Sequence, residues 1–174
     1  MSVNPRVANA CVLFAKYMGR PSRVYYPACG KDASPPEAFP GAYVVYLDIE
    51  EQGLLEIQRE YADARAVHLP AEVYDPDGRF DFVLSVHSHA PFEAEIKFLQ
   101  KDGFLLIANK MSDRAFDHPN LELVAVITEQ PGEGREMLFT DLERFEEVDP
   151  SPEEFSFSNR RKIKAPFYVF RKIA

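Results

Sequence analysis

The run Tyr43 to Ile49, YVVYLDI, restricts what this chain can fold into more than any other segment. It is almost continuously apolar and too short for a helix of ordinary length, so it reads as a strand covered on both faces, inside a parallel sheet. Six further runs share its richness in β-branched and aromatic residues: Arg23 to Ala28 (RVYYPA), Ala64 to Leu69 (ARAVHL), Asp81 to Val86 (DFVLSV), Gly103 to Ala108 (GFLLIA), Leu121 to Thr128 (LELVAVIT) and Ala165 to Ile173 (APFYVFRKI). Turn chemistry separates them, as at Gly30, at Asp75-Pro76-Asp77-Gly78 and at Asp102-Gly103.

Helical spacing fills several of the gaps. Val7, Cys11, Leu13, Phe14 and Met18 give spacings of three and four over residues 5 to 18, and Gly19 and Pro21 end that helix. Leu54, Leu55, Gln58 and Tyr61 mark a second helix over 50 to 61, with acidic residues in the first turn where the helix dipole favours them. Phe92 to Leu99 reads as a short third. Strand and helix alternating in this way predict a Rossmann-like α/β three-layer sandwich of about seven strands, mostly parallel, with an antiparallel C-terminal strand. The stretch between the last two strands is read as a turn at Pro131 to Gly134, a short strand or helix at Met137 to Phe145 and a helix start at Asp149 to Glu153. At 174 residues and 46% hydrophobic content, residues 1–174 are expected to form a single domain.

Composition narrows the function classes. Twenty Lys plus Arg against 28 Asp plus Glu leave a net charge of −8, which repels a phosphate backbone, so no nucleic-acid partner is expected. The one basic run, Arg160 to Lys164 with Arg171 and Lys172 beyond it, follows an acidic stretch and reads as a solvated segment. Two cysteines, Cys11 and Cys29, form neither a disulfide framework nor a zinc ribbon. With no run of ~20 apolar residues and no basic-then-apolar start, the expectation is a soluble cytoplasmic protein without a membrane partner.

In an open parallel sheet, ligands bind beyond the carboxyl ends of the strands, so the residues just after each strand carry the chemistry. Tyr26-Pro27-Ala28-Cys29-Gly30-Lys31-Asp32 follows the first strand, and Asp48 closes the second, 18 residues after Gly30. A carboxylate at a strand tip beside a glycine turn can accept both hydroxyls of a ribose. His87-Ser88-His89 follows the fourth strand. Two imidazoles at that spacing could share a metal, but no third ligand stands out, and no metal is expected. Cys29 has no neighbouring histidine to activate it and reads as a small residue filling a tight turn.

Segment YPACGKD resembles the first motif of the class I S-adenosylmethionine-dependent methyltransferases: an acidic residue, Gly-Cys-Gly, a small residue and a glycine, with a second acid ending the next strand. Gly30 takes the central glycine, Cys29 a residue common there, Ala28 the first glycine, Asp32 the last and Tyr26 the acid. ARAVHLPAE is similar to the region that holds adenine, GRFDFVLSVHS to the fourth strand, and FLQKDGFLLIAN to the Leu-Lys-Pro-Gly-Gly turn into the fifth. The resemblance covers residues 23–110 by motif and the remainder by element order, with the seventh strand inserted antiparallel between fifth and sixth. Departures are plain: two of three glycines are absent, and Arg65 stands where the family often carries an acid contacting adenine.

The resemblance implies S-adenosylmethionine as cofactor. Asp48 would hold the ribose and Ile49 would pack on the adenine, with His68 and Leu69 flanking it. Ala28, Cys29 and Gly30 would line the amino-acid end, and Ser85 would offer its backbone carbonyl to the methionine ammonium. His87 and His89 are the candidates for a general base or acceptor-orienting group. It implies a methyltransferase acting on a small-molecule or protein acceptor that the sequence does not name, and oligomeric state stays open. The alternative is a catalytically degenerate methyltransferase-like fold serving as a ligand-binding or protein-interaction module. A nicotinamide enzyme is disfavoured because the first turn lacks Gly-x-Gly-x-x-Gly.

Overall fold

The structure, a computed structural model, describes residues 3–87, 90–129, 136–140, 142 and 166–174. Among them the elements run α1 (Pro5–Tyr17), β1 (Arg23–Pro27), α2 (Pro35–Ala38), β2 (Tyr43–Asp48), α3 (Glu51–Glu60), β3 (Arg65–His68), β4 (Phe80–Ser85), α4 (Phe92–Ile96), β5 (Leu99–Ala108), a 3-10 turn (Asn109–Met111), α5 (Asp113–Phe116), β6 (Leu121–Glu129), β7 (Glu136–Phe139) and β8 (Phe167–Lys172). They build one eight-stranded sheet in the order β3-β2-β1-β4-β5-β8-β6-β7. β1 to β5 pair in parallel, and β8 lies antiparallel between β5 and β6, the insertion expected of the last strand. The eighth strand is β7, an antiparallel partner of β6, where a strand or a helix was expected from Met137. The turn at Pro131 to Gly134, the helix start at Asp149 to Glu153 and the basic run Arg160 to Lys164 lie outside the described residues.

Strand alternation sorts the core into two layers. Val24, Tyr26, Val44, Tyr46, Phe82, Leu84 and Leu106 face one side, while Tyr25, Val45, Leu47, Val83, Leu105 and Ile107 face the other. The first side is closed by α1, whose Val7, Ala10, Cys11 and Phe14 lie on one helical stripe. Asn4 caps that helix by accepting from the Arg6 N–H at 3.2 Å, and Pro5 sits in the first turn, where its missing N–H costs nothing. Phe14 meets Phe82, Phe104 and Phe39 at 4.6, 5.3 and 6.3 Å between ring centroids.

The alternation of strand and helix is incomplete. Between β1 and β2, where Pro35, Pro36 and Pro40 crowd, only the single turn α2 forms. No helix stands between β3 and β4. Tyr74 from that connection stacks on Tyr25 at 5.7 Å, and Phe98 approaches the same ring edge-on at 6.2 Å, so aromatic rings cover the sheet where a crossover helix would lie. β5 starts at Leu99, earlier than its apolar run, and Asp102 takes φ +61° where the register against β4 shifts.

Candidate active site

The strand order reverses direction at β1, with β2 and β3 on one side and β4 and β5 on the other. Connections leaving β1 and β4 therefore diverge, and a crevice opens at their carboxyl ends. A cavity of about 670 Å³ occupies it, within the range of small-molecule sites. The loop after β1 supplies Ala28 to Asp32, the end of β2 supplies Leu47 and Asp48 with Ile49 and Glu50 just beyond it, the connection after β3 supplies Pro70 to Glu72, and His87 and Ala90 follow β4.

The two groups on which the ribose expectation depends are in contact. Asp48 Oδ2 accepts the Gly30 N–H at 2.7 Å, and Oδ1 accepts the Glu50 N–H at 2.8 Å. An ionised carboxylate has about four acceptor positions, so roughly two remain for a vicinal diol. The loop above keeps a glycine-like path: Gly30 has φ +59° and Ala28, in the first glycine's place, has φ +49°. A left-handed alanine costs roughly 1–2 kcal/mol, and the fold imposes it nonetheless. Glycine is needed at a second place that the motif did not mark. α3 crosses the loop so closely that a Cβ on Gly53 would lie 2.7 Å from the Gly30 carbonyl carbon and 3.1 Å from the Lys31 nitrogen.

Asp32, in the last glycine's place, does not jut into the crevice as a loose second carboxylate. It is 5% exposed, and its Oδ2 accepts from the Tyr26 hydroxyl at 2.8 Å. Its Oδ1 accepts from the Ser34 hydroxyl at 2.5 Å and from the backbone N–H groups of Ser34 and Asn4 at 3.1 Å each. Tyr26, fully buried in the motif's acidic position, thus reaches the acid that sits six residues later. Burial, with Asp32 beside it, pushes the Tyr26 phenol well up.

Of the residues expected at the site, Ala28, Cys29, Gly30, Asp48, Ile49 and His87 line the cavity. Ile49 is 68% exposed, an unusual state for an isoleucine and one that leaves an apolar face open to a flat ligand. Burial pushes the Cys29 thiol up, which fits an inert turn residue. His87 is half-buried, and loss of solvent lowers its pKa below 6.5, with Asp32 opposing that shift and Lys110 adding to it. His89 lies outside the described residues.

His68, Leu69 and Ser85 lie outside the lining. The His68 imidazole Nε2 contacts the Ile49 carbonyl at 2.8 Å and braces the cavity wall from behind. Leu69 is exposed, and its N–H donates to the Asp48 carbonyl at 3.1 Å. Ser85 is fully buried, its hydroxyl donating to Glu95 at 2.5 Å. Arg65 stands at the amino end of β3, beside Tyr43, and does not reach the cavity. Sequence reasoning missed Asn4, Lys31, Leu47, Glu50, Pro70 to Glu72 and Ala90 as lining residues. All but Asn4 and Ala90 lie within a quoted motif or beside a strand tip, the signal that could have found them.

A second cavity of about 360 Å³ adjoins the first at Ala90, between α4, the 3-10 turn and α5, with Glu95, Lys110 and Arg114 in its lining. Among the described residues no group of three or more His, Cys, Asp or Glu side chains could hold a metal, and no helix is long and apolar enough to cross a membrane.

Solved structures superpose on this architecture over nearly the whole chain. The N-methyltransferase NodS from Bradyrhizobium japonicum WM9 matches with a TM-score of 0.59 across 98% of both chains at 11% identity. An O-methyltransferase from a trans-AT PKS multienzyme of Brevibacillus brevis, in complex with S-adenosyl-L-homocysteine, gives 0.59 at 13% identity, covering 97% of this chain and 72% of that one. TrmN from Thermus thermophilus gives 0.59 at 18% identity, over 97% of this chain and 49% of its own. The fold is that of the class I methyltransferases. Within this methyltransferase fold the crevice lies at the carboxyl ends of β1, β2 and β4, where the strand order reverses. No protein-family model and no curated protein matches the sequence.

Proposed function

We propose that this single domain, residues 1–174, is an S-adenosylmethionine-dependent methyltransferase of the cytoplasm. The observation that carries the reading is the Asp48 carboxylate at the cavity floor, fixed by the Gly30 and Glu50 N–H groups with acceptor positions to spare. Asp48 holds the ribose and Ile49, with Pro70 and Ala71, packs on the adenine, while Ala28, Cys29 and Gly30 present backbone to the amino-acid end. Lys31 supplies the cation that suits the cofactor's carboxylate. Two structural neighbours, NodS and the Brevibacillus enzyme, have been crystallised with the demethylated cofactor, which supports the same ligand here. When bound, the cofactor supplies an electrophilic methyl group on sulfur.

The adjoining cavity at Ala90 receives a small-molecule acceptor, and His87, kept largely neutral by burial, takes the acceptor's proton or orients its nucleophile. Both thiols are free and buried, which suits a reducing compartment. A second reading, a binding module without turnover, is favoured by the single helical turn that follows the cofactor loop in place of a full helix. Calorimetric titration with S-adenosylmethionine and S-adenosylhomocysteine tests the proposal: the wild type binds, and Asp48→Ala loses at least ~tenfold in affinity. No heat from either ligand, or unchanged affinity in the variant, overturns it, and methyl transfer to any acceptor removes the second reading.

A further inference from the structure

The cavity's charge is lopsided. Its lining carries four carboxylates, Asp32, Asp48, Glu50 and Glu72, against one ammonium, Lys31. Two of the four, Asp32 and Asp48, are 5% and 7% exposed, so the protein rather than bulk solvent surrounds most of each carboxylate. Asp32 also accepts more hydrogen bonds than Asp48. Four donors from three residues converge on it, all N–H or O–H, the set an ionised carboxylate accepts. None of those donors carries a charge, so they fix the position of the negative charge without cancelling it. His87, across the cavity, already lies within its field.

A charge fixed at a cavity wall discriminates between ligands of the same shape and different charge. S-adenosylmethionine and its product share every atom except one methyl group, and differ by one unit of positive charge on sulfur. Glycine at position 32 would carry no charge, and an acid at position 26 would lie at the end of the strand. This chain has exchanged the two: tyrosine stands in the strand and the acid lies in the loop, joined at 2.8 Å.

We propose that Asp32 is a specificity-determining residue that makes the cavity prefer the sulfonium cofactor over the uncharged thioether product, and so favours product release. The proposal rests on the S-adenosylmethionine reading above. Asp32 acts through space and does not touch the reacting atoms. Its counterpart Asp81, on β4 at the opposite edge of the sheet, lines neither cavity.

The test is the ratio of dissociation constants for S-adenosylhomocysteine and S-adenosylmethionine, measured by calorimetry on the full chain. Asp32→Asn keeps the size of the side chain and removes the charge, and it should lower the ratio on the order of tenfold. Asp81→Asn makes the same change in net charge far from the cavity and should leave the ratio unchanged. Equal weakening of both ligands in Asp32→Asn would mean that Asp32 only shapes the loop, and would overturn the proposal. Should that variant fail to fold, the wild type decides: an adenosyl analogue with an amine in place of sulfur should bind like the sulfonium, and binding no tighter than the thioether overturns the proposal. Absence of any binding by the wild type defeats the cofactor reading itself, a different result from equal binding of all three ligands.

Discussion

The two edges of the parallel sheet use the same device for different ends. At the amino edge, Asp81 accepts from the Ser22 N–H and hydroxyl at 2.9 and 2.7 Å and from the Arg23 N–H at 2.9 Å, clamping β4 to the start of β1. Arg23 completes the clamp by donating to the Arg79 and Asp77 carbonyls and lying over the Tyr43 and Phe80 rings. At the carboxyl edge, Asp32 and Asp48 likewise accept backbone N–H groups, but there the connections part and a cavity opens against them. A carboxylate that accepts from the backbone is therefore not in itself a sign of function. Divergence of the loops around it makes the difference, and divergence is a property of strand order.

The contrast should be largest in stability. Asp32→Ala strips a buried network of its acceptor and leaves the Tyr26 hydroxyl and two N–H groups without it, a loss of roughly 3 kcal/mol or more. Asp81→Ala exposes donors that water can reach, for about 1 kcal/mol. Urea denaturation of the pair measures the gap, and equal losses would break the comparison.

Gly53→Ala should act next. Overpacking against the Gly30 carbonyl costs about 1–3 kcal/mol, against about 1 kcal/mol regained in helix propensity. A net loss of stability accompanied by weaker cofactor binding is expected, and a stabilised variant with full affinity would show that α3 can move away from the loop.

The smallest effect concerns pH. Burial lowers the His87 pKa below its ordinary 6.5, so the unfolded chain binds the proton more readily than the folded one. Stability from that neutral imidazole is present above pH 6.5 and is lost as pH falls through the depressed folded value. His87→Asn flattens this part of the stability curve. Asp32 raises the His87 pKa, so Asp32→Asn lowers it further, whereas Asp81→Asn leaves it in place; an NMR titration of the imidazole compares these two variants with the wild type.

Much of the fold was legible because a strand buried on both faces must be apolar along its length. β2, β4 and β8 were visible on that ground, while the insertion of β8 beside β5 came from the resemblance to the methyltransferase family. The first residues of β5 were not: Gln100, Lys101 and Asp102 are exposed, and nothing in their polarity distinguishes them from a turn. At the site, Gly30 and Asp48 were legible from their spacing. Ser85 and His68 were placed by motif position; that the Ser85 hydroxyl bonds Glu95 and the His68 ring meets the Ile49 carbonyl is encoded in no local pattern.

The sequence by itself determined seven of the eight strands and which strand tips carry carboxylates, because these follow from local periodicity and residue type. Tertiary structure alone decided that Asn4 reaches Asp32 from 28 positions away, that Tyr26 and Asp32 exchange the roles of acid and spacer, and that Gly53 makes room for Gly30. Each of these depends on two chain segments meeting at a particular distance and angle. Strand order and loop direction set that meeting, and no short stretch of residues encodes it.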